Sequence, residues 1–142
     1  MLRRSLLILP FLILINISSS FSENASSICK DNPDGIVTEY FPGGNKMVEW
    51  NCEGGHLNGV SNMYYEDGTI KKKSNYSNDQ RDGVTYSYFE NGNLSSECRF
   101  DGGQLDGEHK FFNEDGTLKE LKYYDKGKPL DKPANWIGTA IC

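Results

Sequence analysis

Residues 83–107 read Gly83-Val-Thr-Tyr-Ser-Tyr-Phe-Glu-Asn-Gly-Asn-Leu-Ser-Ser-Glu-Cys-Arg-Phe-Asp-Gly-Gly-Gln-Leu-Asp-Gly107. Two segments suited to strands, Gly83–Phe89 and Leu94–Phe100, flank the Asn91-Gly92 pair. Asn-Gly tolerates positive φ, as the two-residue turns that match strand twist require, so this stretch predicts a β-hairpin. The same pattern recurs without a gap. Gly35, Gly59, Gly83 and Gly107 are 24 residues apart, and so are Gly44, Gly68, Gly92 and Gly116. An aromatic follows the first glycine by five residues each time, as Tyr40, Tyr64, Tyr88 and Phe112. Further along each unit stand Lys46, Ile70, Leu94 and Leu118, and then Cys52, Tyr76, Phe100 and Tyr124. The tips read PGGN, EDGT, ENGN and EDGT. A lone hairpin cannot bury one face, whereas stacked hairpins share a core.

The expected fold is therefore all-β. It is an elongated meander of about eight antiparallel strands, built from four 24-residue hairpin repeats at 35–58, 59–82, 83–106 and 107–130. Residues 23–34 are expected to be an N-terminal cap or tail. Residues 131–142, DKPANWIGTAIC, are expected to form a C-terminal cap, with Trp136 and Ile137 packing back on the last unit.

Residues 1–22 have the layout of a secretory signal. Arg3 and Arg4 precede an apolar run from Leu6 to Ile15, and Ser18, Ser20 and Ser22 follow at cleavage spacing. That run is far short of the roughly 20 apolar residues a membrane span needs. The expected location is secreted or periplasmic. The 142-residue chain carries a formal charge of −5, and loss of Arg3 and Arg4 would make it −7. An acidic body argues against nucleic acid as partner, because phosphate binding needs a basic face.

Four cysteines lie outside the leader, Cys29, Cys52, Cys98 and Cys142, with no CxxC pair among them. Structural disulfides in an oxidising compartment account for them better than a metal site. Units about 9 to 10 Å apart put Cys52 of unit one and Cys98 of unit three beyond the roughly 7 Å limit of a disulfide. Pairing Cys29 with Cys98 would draw both tails along the stack. What remains is Cys29–Cys52 and Cys98–Cys142. Asn24, Asn75 and Asn93 each begin an Asn-x-Ser acceptor pattern, which carries meaning only in a eukaryotic source.

No catalytic, cofactor or metal residues are expected. His56 and His109 read as variable surface positions, and no nucleophile motif accompanies either. Glu66, Asp67, Glu90, Glu114 and Asp115 sit at hairpin tips, where Asp serves the turn and Glu is solvated. Lys71, Lys72 and Lys73 read as a solvated strand face, with anionic lipid as the sharper alternative. The aromatics neighbouring the first row, Phe41, Tyr65 and Phe89, are either packing between hairpins or, if exposed, a spaced track for a partner.

The units resemble the variant class of the membrane occupation and recognition nexus (MORN) repeats. The residues that carry the resemblance are Gly83, Tyr88-Phe89, Asn91-Gly92, Leu94, Phe100 and Gly103-Gln104-Leu105-Asp106-Gly107. The resemblance covers residues 35–130. It implies antiparallel hairpin sheets and a non-catalytic role in protein or membrane association. Bacterial relatives are often labelled antitoxin-like. Unit one departs from the pattern with Lys46 and Cys52, and unit four with Glu108 and Asn113. The expected function is thus an exported, non-enzymatic protein-interaction or scaffold module. The alternatives are a membrane-surface protein and a neutraliser of a partner protein.

Overall fold

The computed structural model describes residues 27–131. The leader, Asn24 and Cys142 lie outside the described residues. Eight longer strands form the body of an open antiparallel sheet. They are β1 (Gly35–Tyr40), β2 (Lys46–Glu53), β4 (Gly59–Tyr64), β5 (Ile70–Ser77), β7 (Gly83–Tyr88), β8 (Leu94–Asp101), β9 (Gln104–Phe112) and β10 (Leu118–Asp125). Three short pieces complete it, β3 (His56–Leu57), β6 (Gln80–Arg81) and β11 (Lys128–Leu130). The order is β1-β2-β4-β5-β7-β8-β9-β10-β11, with β3 against β2 and β6 against β5. This is the all-β hairpin meander expected from the repeats.

The two kinds of corner differ from expectation. At the tips, Gly44, Gly68, Gly92 and Gly116 have φ of 88°, 89°, 84° and 85°. The residues before them, Gly43, Asp67, Asn91 and Asp115, do not have positive φ. Each tip instead carries two backbone bonds, shown by Phe89 N to Asn93 O at 2.8 Å and Gly92 N to Phe89 O at 2.9 Å. That is a three-residue loop ending on a left-handed glycine. The register slips beside it, between Ser87 and Tyr88 in the third hairpin. The two-residue turns lie at the other corner. There both central residues have positive φ: Gly54 59° and Gly55 81°, Asn78 46° and Asp79 67°, Gly102 52° and Gly103 83°, Lys126 46° and Gly127 80°. The residues flanking the first of these turns pair directly, Glu53 with His56.

These second corners stack. Gly55, Asp79, Gly103 and Gly127 donate their N–H groups to the carbonyls of Pro33, Leu57, Arg81 and Leu105, at 2.7 to 3.0 Å. Each turn thus rests on the unit before it. The N-terminal segment supplies the first acceptor. Asp34 Oδ1 accepts from Gly54 N at 2.9 Å, so Pro33 and Asp34 act as the remnant of a preceding unit.

Ahead of them a single helical turn, residues 27–31, carries Cys29. Cys29 is bonded to Cys52, with Cα atoms 5.4 Å apart. The bond sits in the main core with Val48, Trp50 and Leu57, against which Ile28, Val37, Met63 and Tyr76 pack. The alternation of β2 puts Val48, Trp50 and Cys52 on one face, here called the core face. Cys52 replaces the aromatic of the other units because its sulfur closes this cap.

Candidate functional site

Two features of the sheet could serve a partner: the row of hairpin tips and the centre of the core face. At the tips, Phe41, Tyr65 and Phe89 occupy equivalent places. Each donates its N–H across its loop, to Asn45, Thr69 and Asn93 oxygens respectively, at 2.8 Å. All three side chains are half-buried. The Tyr65 hydroxyl donates to Tyr88 O of the next unit at 2.7 Å, and Lys71 Nζ lies 5.2 Å above its ring. Part of this row therefore packs between hairpins and part remains open. Burial raises the Tyr65 phenol, helped by the charges of Glu90 and Asp67. Unit four has Asn113 at this place, and its side chain turns inward to Thr117 at 2.9 Å.

Neighbouring tips are tied in alternation. Asn45 Nδ2 donates to Glu66 O and Asn93 Nδ2 to Glu114 O, both at 2.7 Å. In the second and fourth tips Thr69 and Thr117 bond back to Asp67 and Asp115 instead. Those side-chain bonds, with the matching backbone bonds, hold both aspartates below the ordinary carboxylate range. Glu66, Asp67, Glu90, Glu114 and Asp115 are all exposed. Asn75, half-buried, uses Nδ2 to donate to Asp82 O at 2.8 Å.

The lysine run does not form one face. Lys71 and Lys73 are exposed, while Lys72 is half-buried with Ser74 and Tyr76 on the opposite side of the strand. Burial lowers the Lys72 ammonium, and Arg81 adds to the effect.

The centre of the core face is polar. Ser61 pairs with Ser74 and Thr85 with Cys98, and the four are 4%, 4%, 2% and 7% exposed. Cys98 is also the cross-strand partner of His109, which in turn pairs with Lys122. These side chains form one row, short ones shielded by longer neighbours two residues away such as Tyr76 and Phe100. His109 is thus no surface position. It is half-buried, its ring centroid is 4.2 Å from that of Phe111, and its Nδ1 has no partner. Thr85 Oγ1 is likewise buried and unpaired. Sequence reasoning missed both, because Val37, Ser61, Thr85 and His109 share a repeat position whose burial depends on neighbouring strands.

The Cys98–His109 adjacency does not amount to an activated pair. Burial pushes the Cys98 thiol up, against the pull of Lys72 and Arg81. Burial also lowers His109, with Lys122 assisting. A neutral thiol faces a neutral imidazole, and Sγ contacts Thr85 O at 3.8 Å rather than the ring. His56, by contrast, is exposed and meets Asp79 Oδ2 at 2.6 Å. Asp79 Oδ1 also accepts from Leu57 N at 2.8 Å. Burial alone would raise the Asp79 carboxyl, but the His56 and Leu57 bonds outweigh it and hold it low. Among the described residues, no three His, Cys, Asp or Glu side chains converge on a metal-sized space.

Residues 57–78, 81–101 and 105–126 each match the family described as MORN repeat variant. The matched stretches begin just after the two-residue turns, the first two in the short strands β3 and β6 and the third near the start of β9. The hairpin β1–β2 precedes all three matches and repeats their geometry, with Gly35 and Gly44 at φ of 106° and 88°. No curated protein sequence matches the chain.

Proposed function

Since the chain is a MORN-variant repeat protein over residues 57–126, we propose that it is an exported, non-catalytic interaction module for a protein partner. Repeats of this family are generally protein or membrane interaction modules. Export draws support from the leader pattern at residues 1–22 and from the Cys29–Cys52 bond, which suits an oxidising compartment. The contact surface is the tip row Phe41, Tyr65 and Phe89. One observation carries this choice: identical loop bonds fix three half-open aromatic side chains in register. With strands about 4.8 Å apart, successive rings are spaced roughly 9 to 10 Å, a stride that suits an extended polypeptide. Tyr and Phe supply large contact area at low ordering cost.

The test is capture by cross-linking from the exported fraction, comparing the parent with Phe41→Ala/Tyr65→Ala/Phe89→Ala. Loss of the captured protein with an unchanged melting curve supports the assignment. A triple variant that melts far below the parent makes the row packing alone, and the contact surface is then elsewhere. The membrane alternative is weaker than the bare lysine run suggests. Only Lys71 and Lys73 share an exposed face, and each cation near an anionic surface contributes only about 1 kcal/mol.

A further inference from the structure

Among the described residues the sheet has two margins. The last is formed by β10, part of which β11 covers. Its uncovered part is guarded by charge, with Lys119, Glu120 and Lys122 along it. The first margin is β1, which carries one charge, Glu39. It also holds the two most exposed large apolar side chains among the described residues, Ile36 at 67% and Tyr40 at 58%. An unguarded apolar edge is a template for pairing with another chain.

The ladder fixes which backbone groups of β1 are free. Asn51 stands opposite Ile36 and turns its own backbone away from β1. Its N–H donates to Ser61 Oγ at 3.2 Å, and its carbonyl accepts from Asn58 N at 2.9 Å. Ile36 therefore makes no ladder bond to β2, and its N–H and C=O point outward. By alternation so do those of Thr38 and Tyr40. The side chains of these three residues share the outer face, opposite the core face that holds Val37 and Glu39.

We propose that two copies of this chain join edge to edge through β1, antiparallel about a two-fold axis at Thr38. Ile36 then lies opposite Tyr40 of the second copy, Thr38 opposite Thr38, and Tyr40 opposite Ile36. Aromatic with β-branched and Thr with Thr are favourable cross-strand pairs. The same three residues carry the free backbone groups, so each opposed pair exchanges two N–H to C=O bonds. Centring on Val37 would set Tyr40 against Asp34, and centring on Glu39 would oppose two carboxylates directly. In the Thr38 register the two Glu39 carboxylates are diagonal neighbours, about 7 to 8 Å apart, close to the screening length at physiological salt. Each also receives the Trp50 indole N–H at 3.4 Å. The two-fold turns the second copy end for end, so its tip row lies along the opposite margin of the joined sheet. The inference goes beyond the contact-row reading and does not depend on it.

The test is sedimentation velocity of the purified full-length chain from about 1 µM to 1 mM, with non-reducing denaturing electrophoresis alongside. A concentration-dependent, non-covalent monomer–dimer equilibrium is expected. Thr38→Pro should raise its dissociation constant roughly tenfold or more, because each copy loses a donor of the central pair. The Thr38 N–H is unbonded in the monomer and edge strands tolerate proline, so the melting curve should hold. A second design covers a Thr38→Pro that fails to fold. Ile36→Lys/Tyr40→Lys and Ile36→Glu/Tyr40→Glu should each be monomeric alone and should associate when mixed, since this register sets position 36 against position 40. A monomer throughout the range would overturn the proposal. So would a covalent dimer, a dimer that folded Thr38→Pro or the lysine variant leaves intact, or lysine and glutamate variants that stay apart when mixed.

Discussion

Lys126→Gly should stabilise this protein, and Asp67→Gly should destabilise it. Lys126 has φ of 46° at the first place of a two-residue turn, where two other units carry Gly54 and Gly102. An L-residue held left-handed costs roughly 1 to 2 kcal/mol. Glycine removes that cost but gains unfolded-chain entropy worth about 0.5 to 1 kcal/mol. The net gain is centred at about 0.7 kcal/mol, within a range of about 0 to 1.5 kcal/mol. For a urea slope near 1 to 1.5 kcal/mol/M, that raises the denaturation midpoint by about half a molar. Asp67 occupies the tip loop without positive φ, and its Oδ1 accepts from Thr69 N at 2.8 Å and Thr69 Oγ1 at 2.7 Å. Glycine there loses both bonds and loosens the unfolded chain, so the midpoint falls. The assay is urea unfolding of both variants at neutral pH with the slope compared. Were Asp-Gly a two-residue turn, Asp67→Gly would relieve strain and raise the midpoint. That result, or a lowered midpoint for Lys126→Gly, would refute the assignment of the corners.

Three further outcomes are expected. Cys29→Ala/Cys52→Ala opens a link with a sequence separation of 23; the chain-entropy relation gives a loss of about 3 kcal/mol, read as a lowered urea midpoint. Gly92→Val places a β-branched residue at φ of 84° and should cost roughly 1 to 2 kcal/mol; unchanged thermal melting would contradict the loop geometry. Burial, with Lys122 nearby, holds the His109 imidazole below its ordinary value of 6.5. The unfolded chain therefore binds a proton there before the folded one does, and stability falls as pH drops below about 6.5 toward the folded value. His109→Thr, which installs the residue of unit three, should lose less stability between pH 7 and pH 5.5 than the parent, as urea midpoints at the two values would show.

The 24-residue period was legible because every unit repeats its glycines and aromatics, and stacking hairpins is the way such units bury a face. The Cys29–Cys52 bond was legible by elimination, from strand spacing and from the path the two tails would otherwise have to take along the stack. The corners were misassigned because Asp67-Gly68 and Gly102-Gly103 are chemically alike as turn formers. Which of them holds two residues depends on the register between strands, and that is long-range information. The Pro33–Asp34 acceptor was hidden for a different reason. A segment that lacks the repeat's aromatics can still present its carbonyls, and backbone acceptors leave no mark in a side-chain pattern. The polar row from Ser61 to His109 was invisible because a serine or threonine in a strand reads the same whether exposed or shielded. Only the longer side chains beside it decide its burial. The lysine run failed as a patch by simple alternation, since Lys72 must point away from Lys71 and Lys73.

The stacked two-residue turns have a bearing on how such a chain changes length. Gly55, Asp79, Gly103 and Gly127 each donate an N–H to the carbonyl left by the segment before, and each unit leaves a like carbonyl for its successor. The joint is the same at every level. A tandem duplication of 24 codons anywhere between residues 57 and 126 would therefore be copied into a chain with every joint still filled. A duplication one codon longer would put side chains on the wrong face and leave one joint empty. Recombination between near-identical units thus yields folded products in whole steps, and a population could carry alleles of different repeat number with both ends, the Cys29 clasp included, unaltered.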